Sequence, residues 1–233
     1  MKFNHLHIKG VVFVHNRYWA VLATYLFTQF SIIPVLPLLL KVTSYSEQDI
    51  IIYWTIFSFI FGVFLTLVIM RPFMKFPKNE GIQLGMILKW TIIGIFMAYG
   101  SQIVANLIQM SVFGVEDTSQ NTENIMAVAK AYPLFVIIPI LSAPILEEIL
   151  FRKILFGLLD ERFGFMIAAI VSSTIFSLIH QDFSHFLVYF AMGFVFAYLY
   201  ARTQRILVPI LVHMALNSVT VIVLFFDLLP PVQ

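Results

Sequence analysis

Long apolar runs divide most of this sequence into segments about as long as a membrane-crossing helix. A spanning helix needs roughly 20 apolar residues. Seven segments approach or exceed that length: 18–40, 50–70, 82–114, 133–159, 165–180, 183–200 and 206–228. The pattern predicts an all-α fold, a polytopic transmembrane helix bundle of about seven spans. Segment 82–114 is too long for an upright span, so we expect it to tilt or to extend as an amphipathic tail, which could form an eighth helix.

The composition supports a membrane protein and excludes several other classes. The chain is 61% hydrophobic and 11% charged, whereas soluble domains carry about 25% charged residues. A net charge of +2 is too small to suggest a nucleic-acid partner. The absence of cysteine excludes disulfides, thiolate metal sites and a cysteine nucleophile. Residues 1–17 lack an apolar core followed by a small-residue cleavage site, so we expect no removable signal peptide.

The connections between the apolar runs are short. The clearly polar one is 115–124, and the turns 160–164 and 202–205 separate later spans. We find no internal repeat, low-complexity tract or soluble domain in the sequence. The chain is therefore predicted to be one integral membrane domain over residues 1–233.

The basic residues predict how the bundle is oriented. Cytoplasmic segments of membrane proteins carry an excess of Lys and Arg. With the N-terminus inside, the outer segments hold only Lys41 and Lys130. The cytoplasmic segments then hold Lys2, Lys9, Arg17, Arg71, Lys75, Lys78, Lys153, Arg162, Arg202 and Arg205. We therefore predict a cytoplasmic N-terminus and an outer C-terminus.

Two adjacent carboxylates and an arginine lie within the fourth apolar run, at Glu147, Glu148 and Arg152. Ionisable groups at membrane depth cost several kcal/mol each, so they usually face the protein interior or a water-filled cavity. Glu148 and Arg152 are four residues apart, which allows an ion pair on one helix face. Glu147 points about 100° away from Glu148. We therefore expect the arginine to neutralise one carboxylate and to leave the other free for chemistry.

Three more polar residues lie in the later spans: His180, His213 and Asn217. Measured from the inner helix ends, Glu147 is about 18 Å deep, His180 about 22 Å, His213 about 10 Å and Asn217 about 16 Å. Each histidine alone is more often an interhelical hydrogen-bonding residue, and Asn217 alone is more often a packing contact. Four such groups in one slab near mid-membrane nevertheless favour a shared site.

These residue types suit hydrolysis by activated water. A glutamate in an apolar pocket can accept a proton from water near neutral pH. A histidine can orient that water, and a second histidine with an amide can donate hydrogen bonds to an oxyanion. The sequence has no Gly-x-Ser-x-Gly, His-Glu-x-x-His or Gly-x-Gly-Asp signature. Glutamate plus two histidines is also a zinc ligand set, so the residues leave zinc open.

Three motifs in chain order resemble the CAAX-protease and bacteriocin-processing family, the Abi family of intramembrane glutamate proteases. They are Glu147-Glu148-x-x-x-Arg152, Phe176-x-x-x-His180 and His213-x-x-x-Asn217. The resemblance covers about residues 133–228, which it marks as the catalytic core, with 1–132 as three accessory spans.

The resemblance implies a membrane-embedded endopeptidase similar to the type II CAAX prenyl endopeptidase. It implies that Glu147 activates water with His180, that His213 and Asn217 stabilise the oxyanion, and that Glu148 and Arg152 position the helix and tune Glu147. It also implies a bacterial plasma membrane location and no metal.

The substrate implied is a lipidated or apolar peptide, or a membrane protein, cleaved near its end. The lipid bilayer is the other partner. A non-catalytic membrane partner or bacteriocin-immunity protein, and a zinc-dependent membrane protease, are the alternatives. Oligomeric state stays open.

Overall fold

The computed structural model describes residues 16–73, 83–114, 119–226 and 228, and these residues are helical with no strand among them. The α-helices are α1 Asn16–Phe30, α2 Ile32–Val42, α3 Glu47–Met70, α4 Leu84–Phe113, α5 Gln120–Ala131, α6 Ala143–Glu148, α7 Gly157–Phe163, α8 Phe165–Ile179, α9 Phe186–Thr203 and α10 Leu207–Phe225. Short 3₁₀ helices lie at Arg71–Phe73, Pro133–Val136 and Phe183–His185. The predicted all-α membrane bundle is confirmed.

Five helical stretches of the described chain are long and apolar enough to cross a membrane: Glu47–Phe73, Leu84–Val112, Pro133–Phe163, Phe183–Thr203 and Leu207–Phe225. The bent pair α1 and α2 makes a sixth if it is counted as one span. Helix α8 is apolar but has only 15 residues. The number of seven spans and the cytoplasmic N-terminus therefore stay predictions.

The first predicted span is broken in two. Helices α1 and α2 meet at Ser31 with a bend of 47°. Pro34 explains the position of the break, because it has no N–H to donate to Phe30 and its ring would clash with that residue's carbonyl. Pro34 therefore accounts for the bend near the middle of this segment, whereas Pro37 lies within α2.

The polar connection after α4 contains a helix that the sequence did not indicate. Helix α4 runs unbroken to Phe113 and ends at Gly114, whose φ of 63° is left-handed. Helix α5 then begins at Gln120, with Ser119 as its N-cap accepting a hydrogen bond from the Thr122 amide. The prediction of a loop over 115–124 is thus wrong from residue 120 onward. The additional helix comes from this connection and not from splitting segment 82–114.

Some expectations concern residues outside those described. They are the signal-peptide expectation for residues 1–15, the predicted loop at residues 115–118, and the orientation residues Lys2, Lys9, Lys75 and Lys78.

One stretch, Pro133–Phe163, positions the site, and we call it the central helix. Its geometry is π-helical over Ile138–Ser142 and again over Ile149–Phe156, on either side of α6. Wide turns of this kind are rare and occur often at functional sites. Helices α8, α9 and α10 pack around this stretch, and α4 packs against α9 and α10. The glutamates of α6 therefore lie in the middle of the bundle.

Candidate active site

Glu147, His180, His213 and Asn217 line one cavity of about 1300 Å³. They come from α6, from the residue after α8, and from α10. The short length of α8 explains how a residue at its end can reach the cavity. Fifteen residues make a helix of about 22 Å, which is shorter than the roughly 30 Å hydrocarbon core. The structure thus brings the four predicted catalytic residues into one space.

The two neighbouring glutamates have different surroundings. The Glu147 side chain is 11% exposed and lines the cavity, whereas the Glu148 side chain is completely buried. Glu147 makes its nearest ion-pair contact with His213. Nε2 of the imidazole lies 4.0 Å from Oε2 of Glu147. That distance is too long for a direct hydrogen bond but suits a bridging water. Glu147 is therefore the carboxylate available for chemistry.

Glu148 joins the arginine to a histidine. Its Oε2 lies 3.2 Å from Nε of Arg152, and its Oε1 lies 2.9 Å from Nδ1 of His213. The predicted ion pair between Glu148 and Arg152 is therefore present, as a charge contact and not as a well-aligned hydrogen bond. The contact with His213 was not expected from sequence. The contact with Glu148 orients the His213 imidazole so that its other nitrogen, Nε2, lies near Glu147.

Aromatic rings enclose the Arg152 guanidinium. Its carbon lies 4.2 Å from the ring centre of Phe176, 5.2 Å from Phe196 and 5.9 Å from Phe151. Desolvated cation–π contacts of this kind are worth up to about 2 kcal/mol. Nη2 also donates a hydrogen bond to the carbonyl of Gly193 at 3.3 Å. These contacts allow a charged side chain to be fully buried at the centre of the bundle.

His180 is held by a hydrogen bond and by two rings. Its Nδ1 lies 2.7 Å from the carbonyl oxygen of Phe176. A carbonyl can only accept, so Nδ1 carries the hydrogen and Nε2 is left as an acceptor in the neutral imidazole. The imidazole lies against Phe176 at 4.7 Å and stacks on Tyr189 at 4.1 Å with an interplanar angle of 25°.

Asn217 connects α10 to the central helix. Its Nδ2 donates a hydrogen bond to the carbonyl of Pro139 at 2.8 Å, in the first π-helical segment. This is the packing contact expected of a membrane asparagine. It uses one of the two amide hydrogens, so the second can serve a ligand in the cavity.

The sequence did not identify every residue of the cavity. The three N-terminal spans, to which no specific role was assigned, contribute Tyr25, Gln29, Phe59 and Gln102. No motif marks these positions, because the apolar pattern of a span does not reveal which face meets a cavity.

Asp182, in the turn after α8, belongs to none of the three motifs, yet it lines the cavity and is buried. Burial alone would raise the pKa of Asp182. Hydrogen bonds from Ser119, His185 and the Asn121 amide outweigh that effect and lower it. This carboxylate is therefore stabilised in its charged form at the end of the bundle where α5 lies.

No set of three His, Asp or Glu side chains among the described residues is arranged to hold a metal ion. The sequence left open that Glu147, His180 and His213 bind zinc. In the described part of the chain these three side chains do not form such a ligand set.

Comparison with known proteins gives matches over most of the chain. The family model described as "Type II CAAX prenyl endopeptidase Rce1-like" matches residues 129–219. A Bacillus subtilis protein named "Putative membrane peptidase YdiL" is 40% identical over 218 residues, covering 90% of this chain and 89% of that protein. The "Membrane-embedded CAAX protease MroQ" of Staphylococcus aureus is 33% identical over 236 residues, covering 93% and 92%. No solved structure gives a significant match.

Proposed function

This chain belongs to the Rce1-like family of membrane-embedded CAAX proteases, and on that premise we propose that it is an endopeptidase in which Glu147 activates the attacking water. The observation that carries the proposal is the difference between the two glutamates. Glu148 is buried against Arg152, while Glu147 faces a large cavity beside His213. A general base must reach the water it deprotonates, and Glu147 has that access.

The reaction proceeds without a covalent intermediate. Glu147 takes a proton from water held near His180, whose Nε2 can accept a hydrogen bond. The hydroxide attacks the peptide carbonyl, and the oxyanion receives hydrogen bonds from Asn217 and His213. The tetrahedral species then collapses, the C–N bond breaks, and the leaving amine takes the proton from Glu147. Donors placed where negative charge develops are usually the largest contribution to such catalysis.

Glu148 supports the oxyanion role of His213. In the neutral form His213 gives its Nδ1 hydrogen to Glu148, so donation from Nε2 requires the protonated imidazole. When His213 is protonated, the charges of Glu147, Glu148, Arg152 and His213 sum to zero. Buried charges are tolerated when they are paired in this way.

We propose that the substrate is an apolar or lipidated peptide, or a membrane protein, cleaved near its end. We propose that the protein acts in a bacterial plasma membrane and without a metal, because the base and the oxyanion donors are side chains. A zinc-dependent mechanism instead predicts stoichiometric metal in the purified protein and inhibition by chelators, which metal analysis would test.

The proposal is tested by comparing membrane peptides with and without the active protein by mass spectrometry. Purified Glu147→Gln and His180→Ala variants should lose cleavage by at least about 100-fold, the range that general acid–base groups contribute. Asn217→Ala should also lose cleavage by about 100-fold or more, the usual cost of removing one oxyanion donor. Glu47→Gln, which changes an exposed carboxylate at the start of α3, is the matched control and should retain activity. Undiminished turnover in Glu147→Gln would falsify the mechanism.

A non-catalytic membrane partner or immunity protein is the second candidate. The buried ion pair and the contact from Asn217 to Pro139 are what a purely structural role would require. Complementation separates the two candidates. Full rescue of a deletion phenotype by both Glu147→Gln and His180→Ala would favour the non-catalytic role.

A further inference from the structure

The imidazole of His180 contacts two aromatic rings, and the one stacked on its face, Tyr189, belongs to no recognised motif of the chain. Tyr189 lies one turn into α9 and stacks on His180 at 4.1 Å. The other partner, Phe176, is on the same helix as His180 and also carries the carbonyl that binds Nδ1. Tyr189 is therefore the ring that a different helix contributes to the orientation of His180.

The hydroxyl of Tyr189 is fixed in turn by the beginning of α5. It lies 3.1 Å from Oγ of Ser119 and accepts a hydrogen bond from Nδ2 of Asn121 at 3.2 Å. Ser119 donates to Oδ2 of Asp182 at 2.7 Å. We call Ser119, Asn121, Asp182 and Tyr189 the clamp. All four line the cavity, and together they join α5, α9 and the turn that follows His180.

His180 needs such support because its backbone is at the end of a helix. It is the residue after α8, and the next residue, Gln181, has a left-handed φ of 54°. A single hydrogen bond at Nδ1 leaves the ring free to turn about that contact. Tyr189 stacks on the imidazole, and its own hydroxyl is held by Ser119 and Asn121. The stacked ring therefore prevents the imidazole from turning.

We propose that Tyr189 is a positioning residue for His180, and that the clamp holds it in place. The inference rests on the proposed function, in which Nε2 of His180 must point at the attacking water. Tyr189 acts through the histidine and not on the substrate. Its loss should therefore lower kcat and leave KM nearly unchanged, because substrate binding does not depend on the direction of Nε2.

The kinetic test uses an internally quenched peptide built on the bond that mass spectrometry identifies. Tyr189→Leu removes the ring and should lower kcat about 10- to 100-fold, as small misplacements of catalytic groups do. Tyr189→Phe keeps the ring and loses only the hydroxyl contacts, so it should cost about fivefold or less. Ser119→Ala removes one of the same hydroxyl contacts but also the cap of α5 and the hydrogen bond to Asp182, so it should cost at least as much as Tyr189→Phe. Tyr198→Leu, on α9 but away from the cavity, is the control.

A second measurement does not depend on cleavage. Diethylpyrocarbonate modifies accessible imidazole nitrogens, and mass spectrometry reads the modification at His180. Tyr189→Leu should raise the modification rate of His180 severalfold, because it uncovers one ring face, whereas Tyr198→Leu should leave it unchanged.

The outcomes separate the inference from the proposed function. If His180→Ala is fully active, the proposed role of His180 fails whatever Tyr189 does. If His180→Ala is inactive but Tyr189→Leu has wild-type kcat and an unchanged modification rate, the positioning role alone is overturned. A rise in KM at constant kcat would make Tyr189 a substrate contact and would also overturn it.

Discussion

At the scale of single residues, the buried cluster of Glu148, Arg152 and His213 decides which groups are available for chemistry. Arg152 and Glu148 are fully buried, so each depends on the other for charge compensation. Removing one partner of a buried pair leaves an uncompensated charge, which costs more than the pair itself contributes. The fold therefore depends on keeping both charges of the pair together, and Glu148 also orients His213.

Arg152→Met should lower the free energy of unfolding by about 3–5 kcal/mol, the cost of breaking a buried ion pair. The double variant Glu148→Gln with Arg152→Met should recover part of that loss, because no unpaired charge then remains. Thermal or denaturant unfolding in detergent measures both.

Arg202→Met is the control for this prediction, since Arg202 is exposed at the end of α9. Equal losses for Arg152→Met and Arg202→Met would contradict a stabilising role for the buried pair.

Part of this cluster was predictable and part was not, for a physical reason. The pair of Glu148 and Arg152 follows from a spacing of four residues on one helix. The contact between Glu148 and His213 joins residues 65 positions apart, so it depends on how two helices pack. The stacking of Tyr189 on His180 depends on packing in the same way. Sequence spacing indicated which polar residues share a depth but not which of them touch.

At the scale of helices, close approach between α8 and α9 sets the position of the arginine. A Cβ at Gly193 would lie 3.1 Å from Cβ of Ser173, 3.2 Å from its Cα and 3.2 Å from Nη2 of Arg152. The Ser173 backbone cannot move away without shifting α8. Gly193 therefore allows both the helix packing and the hydrogen bond from Arg152 to the Gly193 carbonyl.

Gly193→Ala should destabilise the protein by about 1–3 kcal/mol, the usual cost of overpacking, and should reduce activity by displacing Arg152. Gly100→Ala is a matched control within α4, where an added Cβ meets nothing within 4 Å. That change should be neutral or stabilising by up to about 1 kcal/mol, because alanine favours helix. Unfolding midpoints of the two variants measure the difference. A Gly193→Ala protein as stable as Gly100→Ala would show that α8 and α9 have room to separate.

The helices themselves were predictable to different degrees. Spans of strongly apolar composition were found close to their predicted positions, since a 20-residue apolar run has few alternatives. Helix α5 was missed because its residues are polar and its start depends on a serine cap. The break at Ser31 is explained by the prolines, but its angle depends on the neighbours of α1 and α2.

At the scale of the whole molecule, the cavity and the basic residues lie at different ends of the bundle. Residues 119–122, 124–126 and 180–185 line the cavity at the end of the bundle where α5 lies, and some of them, such as Ser184, are exposed; we call this end the mouth. Helices α8 and α9 run from residues 180–185 to the other end of the bundle, where Arg162, Arg202 and Arg205 lie next to their ends. The positive-inside rule puts the basic end in the cytoplasm. The mouth is then expected on the outer side of the membrane.

Cysteine labelling tests this orientation without interference, because the chain has no native cysteine. Ser184 is exposed at the mouth and Gln204 is exposed at the basic end. A membrane-impermeant maleimide should label Ser184→Cys in intact cells and should label Gln204→Cys only after the membrane is permeabilised. The reverse labelling pattern would mean that the bundle has the opposite orientation in the membrane, with the cavity mouth in the cytoplasm. Substrates would then have to be presented from inside the cell, and the excess of basic residues at the other end would need a cause other than membrane insertion.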